Sequence, residues 1–545
     1  MGANTDNNEL LPDPLLEVLR RHWGYSSFLP LQERIVGSLL GGRDACVVMP
    51  TGGGKSLCYQ LPAALRPEQT VVVISPLIAL MQDQVAQLDL MGISAAAINS
   101  TLSEAERSEV MRNATRGAYR LLYLSPERLA REDTTAWLRR VPVSMFAIDE
   151  AHCISEWGHE FRPDYRQLSS LRANFPDCSI AAFTASATRR VRHDIIEQLQ
   201  LRAPDKYIAS FHRPNLRYLV RQCTSREQPG LLRSVLNRHD GASIIVYEPT
   251  IARVEGTTDW LNQQGIPATS YHGKMGAAMR RDNQERWMSD EVHVLVGTLA
   301  FGLGINKPGV RAVVHTSLPK SIEQYYQEAG RAGRDGQPAD CILLWQKRDA
   351  GLLAHFVDQV QDDDERERAW QRYHEVRDFA ERPQCRHRRI CMHFGETPKW
   401  SMCSACDVCG QSPEWLVDVY GTSATTSKKK KKSGGAGAVP PRFPASLPAA
   451  LPPSFASAIE PAAPATEPDH ELREYLRAWR RKLAQEKGIP AFIIMQDRSL
   501  DEICRLQPHT PAELLEVFGF GERKVAAYGD AIIAALEQFR RSAGK

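Results

Sequence analysis

No run of apolar residues in this 545-residue chain approaches the roughly 18 needed to cross a bilayer. No basic segment followed by an apolar stretch opens it, so a secretory leader is not expected, and Asp6 stands where a myristoylation signal wants Ser or Thr. Charge of one sign is not in excess: 68 Lys and Arg face 65 Asp and Glu, a net +3. Global charge therefore does not announce a nucleic-acid partner, and any basic surface must be local. Cysteine is sparse over most of the chain, which excludes a disulfide framework. No solenoid-type repeat is present. These absences leave a soluble, cytoplasmic protein of three or four domains as the expectation.

Short β-rich runs alternate with longer helical patterns over residues 43–345. Asp44–Met49, Thr70–Ser75, Tyr119–Leu124, Val143–Ile148 and Ile180–Thr184 read as strands, and the series restarts with Ser243–Tyr247, Val292–Val296 and Ala312–His315. Continuous apolar strands between helices mean parallel sheets covered on both faces. The series is too long for one sheet, so two α/β domains are expected, residues 1–208 and 209–347. A polar helical stretch with a cysteine cluster follows (348–415). Five lysines (428–432) then lead into residues 434–468, where 9 of 35 are proline. That composition cannot build a core, so 416–468 reads as a linker. Helical periodicity returns over 469–545, a small all-α domain.

Met49-Pro-Thr51-Gly52-Gly53-Gly54-Lys55-Ser56 follows a strand and precedes a helical pattern. Consecutive glycines let backbone N–H groups wrap a phosphate at a helix N-terminus. Lys55 is expected to reach the β- and γ-phosphates and Ser56 to ligate Mg²⁺. Asp149 and Glu150 stand at the end of an apolar strand. Asp149 suits Mg²⁺ and Glu150 suits polarising the attacking water. Arg331 and Arg334, three apart among Gly330, Gly333 and Gly336, could approach a γ-phosphate across a cleft. Nucleoside-triphosphate hydrolysis is the expected chemistry, with ATP and Mg²⁺ as cofactors.

Five of the twelve cysteines fall between Cys385 and Cys409. Cys385, Cys403, Cys406 and Cys409 supply four thiolates, enough to close a tetrahedral Zn²⁺. His387 and His393 are alternative ligands, and Cys391 is the spare.

The order of these motifs resembles superfamily-two helicases, and within them the RecQ family of DNA helicases, over about residues 10–345. The resemblance implies two RecA-like parallel-sheet domains, a helical zinc-binding module and a C-terminal HRDC-like domain. Gly24-Tyr25 through Gln32 resembles the adenine-recognition motif, implying Tyr25 on the adenine face and Gln32 on the base edge. Leu29 stands where many members have Arg. Thr184-Ala-Ser-Ala-Thr188 resembles the motif coupling hydrolysis to DNA. The stretch Trp157-Gly-His159-Glu-Phe161-Arg162 resembles the family's aromatic-rich loop, which senses single-stranded DNA. Two aromatic rings and a cation suit base stacking and phosphate contact. Ala300 to Pro308 resembles the fifth motif, with Asn306 where Asp is usual; Tyr247 to Ile251 resembles the fourth, with Ile251 in place of Arg.

The resemblance implies an ATP-dependent helicase moving 3′ to 5′ on single-stranded DNA and unwinding tailed or forked duplexes, in DNA repair or recombination. A single-strand DNA-binding protein is a further candidate partner. Fewer than twenty residues separate Cys409 from the lysine run, which leaves no room for the winged-helix domain usual in the family. A translocase with little unwinding is therefore the competing expectation, and a non-catalytic scaffold the third. Arg477, Arg480, Arg481 and Lys482 concentrate charge on the first tail helix, and Gly519–Lys524 could present N–H groups to phosphate. DNA binding is about even with the alternative, a protein-interaction or purely solvated face.

Overall fold

The computed structural model describes residues 14–99, 101–158, 160–298, 307–410, 413–417, 470–487 and 491–542. The lysine run, the proline-rich linker, His159 and residues 300–306 lie outside the described residues.

The first sheet is built from β1 (Ala45–Val48), β2 (Thr70–Ile74), β3 (Ala95–Ile98), β4 (Leu121–Leu124), β5 (Val143–Ile148), β6 (Ser179–Thr184) and β7 (Asp205–Ile208). Its order is β3-β4-β2-β5-β6-β1-β7, and every pairing is parallel. The second sheet comprises β8 (Leu216–Gln222), β9 (Ser243–Tyr247), β10 (Ala268–Tyr271), β11 (Val294–Gly297), β12 (Val310–His315) and β13 (Ala339–Trp345), in the order β10-β11-β9-β12-β13-β8. Strands β1, β2, β4, β6, β9, β11 and β13 are buried along their whole length, because helices cover both faces.

Five strands escape the sequence pattern: β3, β7, β8, β10 and β13. Ala95-Ala-Ala-Ile is too small-sided to announce itself, and the half-exposed β7 lies at a sheet edge. The helices Lys347–Asp358 and Asp363–Glu381 then lead to Cys385. Phe394, stacked on Phe211 at 4.3 Å, fastens this module to the junction between the sheets. The tail domain closes helices His470–Lys487, Asp497–Leu506 and Glu522–Ser542 around Leu476, Ile494, Ile503, Phe520 and Ile532. No helix among the described residues is long and apolar enough to cross a membrane.

Parallel strands all end on one side, so β1, β6 and β5, adjacent in that order, deliver three loops to one edge. Those loops carry the phosphate-loop motif, Thr184 and Asp149.

Candidate nucleotide and nucleic-acid site

The loop after β1 turns through Gly52 (φ 85°) and Gly54 (φ 77°) before the helix Lys55–Leu65 begins. Both glycines adopt the left-handed conformation that other side chains resist. At Gly54 the reason is also steric, since any side chain would collide with the Gln32 amide. Gln32 is 2% exposed; its Nε2 donates to the Gly54 carbonyl at 3.1 Å, and its Oε1 accepts from the Leu29 amide at 2.8 Å. Gln32 is thus held against the phosphate loop. Lys55 Nζ donates to the Met49 carbonyl at 3.2 Å. Burial pulls the Lys55 pKa down, and the Glu150 and Asp149 carboxylates work against that.

Asp149 leaves β5 buried, and its carboxylate accepts from the Glu150 amide at 3.0 Å. Burial, reinforced by Glu150, pushes the Asp149 carboxyl up to about 7 despite Lys55. A buried carboxylate with a half-buried one next to it, beside one lysine, suits a divalent cation, whose charge would return Asp149 to its ionised form. Glu150 itself sits at φ 47°, ψ 42°, a left-handed position for a residue with a side chain. Strain of this kind persists where surrounding structure over-determines it. Here the turn sends Glu150 back toward His152.

Arg331 and Arg334 come from the second sheet's side of the cleft, just past the helix Ile322–Ala329. A side chain at Gly52 would touch Arg334 at 3.6 Å, so this arginine lies on the phosphate loop of the other lobe. Arg331 is 6% exposed and neighbours the Tyr247 hydroxyl. Burial first, and then Arg331 and Arg213, pull the Arg334 pKa down to about 9. Arg213, which sequence reasoning missed, holds the loop from behind. It donates to the carbonyls of Gly330 (2.7 Å), Ala332 (3.1 Å) and Gly333 (2.7 Å). No motif marks it, because it works through backbone atoms more than a hundred residues away.

A polar chain links the Glu150 turn to the second lobe. His152 Nδ1 lies 3.3 Å from Glu150 Oε2 and 2.9 Å from Thr184 Oγ1. Thr184 donates to the Ser186 carbonyl at 3.2 Å, and Gln327 of the second lobe donates to Ser186 Oγ at 2.9 Å. Burial opposes charge on His152, yet Cys153, Glu150 and Glu160 together raise its pKa well above the ordinary value. Neither His152 nor Gln327 was singled out from the sequence, since each acts through partners that only the fold brings near.

Trp157 has the Arg190 guanidinium 2.9 Å and that of Arg368 5.1 Å from its ring centre. It lines a cavity of about 450 Å³ together with Thr188, Arg190, Glu323, Arg368 and His393. First lobe, second lobe, helical stretch and cysteine module all contribute to that lining. Thr188 caps the helix Arg189–Gln198 by accepting from the Val191 amide. Phe161 is 36% exposed with Arg166 over its ring, and Arg162 donates to the Pro76 carbonyl at 3.4 Å. His159 lies outside the described residues. Trp157, Thr188 and their arginines therefore meet at the cavity, whereas Phe161 faces outward.

The sulfurs of Cys385, Cys403, Cys406 and Cys409 all lie within 4.8 Å of one another. Four thiolates on one Zn²⁺ at about 2.3 Å stand roughly 3.8 Å apart, so the cluster fits that ion with little adjustment. Amides of Ala405 and Cys409 point at the sulfurs of Cys403 and Cys406, both at 3.4 Å. The alternative ligands are engaged elsewhere. His387 lies 3.2 Å from the Arg213 carbonyl, and His393 bridges Glu323 (2.6 Å) and Glu375 (3.1 Å). Cys391 is fully buried.

Tyr25 does not stand open. Its ring is stacked on Phe518 of the tail domain at 4.7 Å. The tail arginines are likewise committed. Arg480 and Arg477 each approach Asp290 of the second lobe at 3.4 Å, and Arg481 donates to the carbonyls of Ser289 (2.8 Å) and Asp290 (2.7 Å). The Gly519 amide donates to the Gly24 carbonyl at 3.3 Å. This face of the tail is thus turned onto the chain's own second lobe.

Four family profiles match the chain in succession: DEAD/DEAH box helicase (29–195), helicase conserved C-terminal domain (227–336), RecQ zinc-binding (347–410) and HRDC domain (469–536). The chain is 35% identical to the ATP-dependent DNA helicase RecQ of Pasteurella multocida, covering 97% of this chain and 95% of that one. It is 34% identical to the protein of that name from Bacillus subtilis, covering 96% and 98%. The Pasteurella alignment runs over 603 positions, more than the chain's 545 residues, so that relative carries segments without a counterpart here. Among solved structures, yeast Dbp5 bound to RNA and ADP–BeF3 superposes with a TM-score of 0.52 at 16% identity, covering 68% of this chain and 92% of that one. That likeness speaks for the fold of the paired lobes alone.

Proposed function

The chain belongs to the RecQ family of ATP-dependent DNA helicases, and from that premise we propose a motor that moves 3′ to 5′ along single-stranded DNA and opens tailed or forked duplexes in repair and recombination. ATP binds in the cleft, cradled by Thr51, Gly52, Gly53 and Gly54, with Lys55 on the terminal phosphates. Ser56 and Asp149 would hold Mg²⁺, which would supply charge to neutralise the phosphates when bound. Glu150 orients the attacking water. Arg331 and Arg334 stabilise the transferring phosphoryl group from the opposite lobe.

The observation that carries this reading is Arg334 of one lobe lying on Gly52 of the other. An arginine delivered across a cleft makes hydrolysis depend on lobe closure, and so converts turnover to movement. Single-stranded DNA reports to the same site through Trp157, His159, Phe161 and Arg162. The chain from Thr184 to Ser186 and Gln327 supports that role, and Thr188 lines the same cavity as Trp157. We divide the molecule at 208/209, 347/348, 415/416 and 468/469. We assign it to the cytoplasm, with a single-strand DNA-binding protein as candidate partner.

The short segment between Cys409 and the lysine run favours a second reading, a translocase that separates strands poorly. Strand displacement from duplexes with a 3′ or a 5′ single-stranded tail, beside Lys55→Ala, decides. Displacement from the 3′-tailed substrate alone, lost in the variant, supports the helicase and its direction. DNA-stimulated hydrolysis without displacement supports the translocase. Displacement from the 5′ tail refutes the direction.

A further inference from the structure

The tail domain touches both lobes. On the first, the backbones meet without side chains between them: a Cβ at Gly24 would lie 2.5 Å from the Phe520 nitrogen, and one at Gly521 would lie 2.6 Å from the Arg21 carbonyl oxygen. On the second, Arg477, Arg480 and Arg481 close around Asp290.

Between these anchors stands Tyr25. One side of this residue packs on the core of the first lobe. Its ring lies nearly parallel to Phe518, 22° between planes at 4.7 Å. The Gln496 side chain bonds its hydroxyl. Arg498 in turn lies over the Phe518 ring at 3.9 Å. A flat ring held between a tyrosine and an arginine is the arrangement that a nucleobase would adopt on Tyr25.

We propose that the C-terminal domain competes with the nucleotide's base: Phe518 occupies the face of Tyr25 on which adenine stacks, so docking of this domain and binding of ATP oppose each other. The proposal rests on Tyr25 being the adenine's partner and deepens that reading into a regulated site. The lobe-2 anchor raises the effective concentration of Phe518 at Tyr25 without any contact to the nucleotide. Because coupling between two ligands of one site is reciprocal, ATP must weaken docking by the factor by which docking weakens ATP.

The test uses the full chain, a fluorescent non-hydrolysable ATP analogue and no DNA. Phe518→Ala and Arg481→Ala, both on partly exposed positions of the tail, are each expected to tighten binding by about fivefold or more. Arg481→Ala touches neither Tyr25 nor the phosphate loop, so its effect reports docking alone. In the unaltered chain, saturating analogue is expected to speed amide hydrogen exchange at Gly519, whose N–H bonds Gly24. Unchanged or weaker binding by Phe518→Ala overturns the competition. Tyr25→Ala added to Phe518→Ala separates the two claims. If it leaves ATP affinity where Phe518→Ala put it, Tyr25 is not the adenine's partner, and the proposal falls for that reason instead.

Discussion

Two buried arginine clusters cross lobe boundaries in this molecule, and they differ in what answers their charge. At the tail, Arg480 and Arg477 meet Asp290, Arg480 also meets Asp497 at 2.8 Å, and Lys307 donates to Asp290 at 2.7 Å. Although burial disfavours its charge, those cations hold the Asp290 carboxyl far below the usual carboxylate range. In the cleft, Arg213, Arg331 and Arg334 stand together, and each neighbour lowers the Arg334 pKa further. Glu150 and Tyr247 offset this only in part. A cluster closed by carboxylates is a joint. One in which three arginines crowd together in a cleft suits an anion, and in the proposed reading a triphosphate supplies it.

The sharpest way to break this contrast is Arg334→Ala. Removing a transition-state cation is expected to cost about 10³-fold in DNA-stimulated kcat. A steady-state ATPase assay that finds less than tenfold would demote Arg334 to a packing residue. On the compensated side, Asp290→Ala leaves the buried Lys307 and Arg480 and the half-buried Arg477 facing one another. It is expected to lower stability by about 3–5 kcal/mol, read from denaturant melting. A neutral result there would mean that the cations around Asp290, Lys307 of its own lobe included, are solvated in solution.

A third boundary pair extends the comparison into pH. Burial disfavours charge on His393, but Glu323 and Glu375 raise its pKa to about 10. A raised folded pKa contributes stability that is fully present below the unfolded value near 6.5, and that is lost as pH rises through about 10. Stability should therefore decline over that window, and His393→Gln should flatten the decline. Equal slopes in the two proteins would show that the bridge carries no charge. The smallest effect is expected from Arg21→Ala. Arg21 and Glu522 stand 3.5 Å apart with both side chains 63% exposed. Such a pair is worth about 0.5 kcal/mol or less, so melting should barely move.

Legibility followed the distance over which each feature is decided. Lys55, Ser56, Asp149 and the four clustered cysteines were readable because a loop, a strand end or a knuckle imposes its spacing within a few residues. Strand β3 was not, since Ala95-Ala-Ala-Ile gains its place from the sheet around it. Arg213 was silent because its partners are the carbonyls of residues 330–333. The tail arginines were visible as charge but not as contacts: Asp290 lies 190 residues from Arg480.

By itself, the sequence determined the paired parallel sheets, the glycine-rich loop, the acidic pair and the cysteine cluster, since each is written in local periodicity or short spacing. Tertiary structure alone decided which charges face which, and which aromatic covers Tyr25. Those outcomes depend on groups brought together from distant parts of the chain. An arginine's sequence neighbours say that it is charged; only its neighbours in space say what faces that charge.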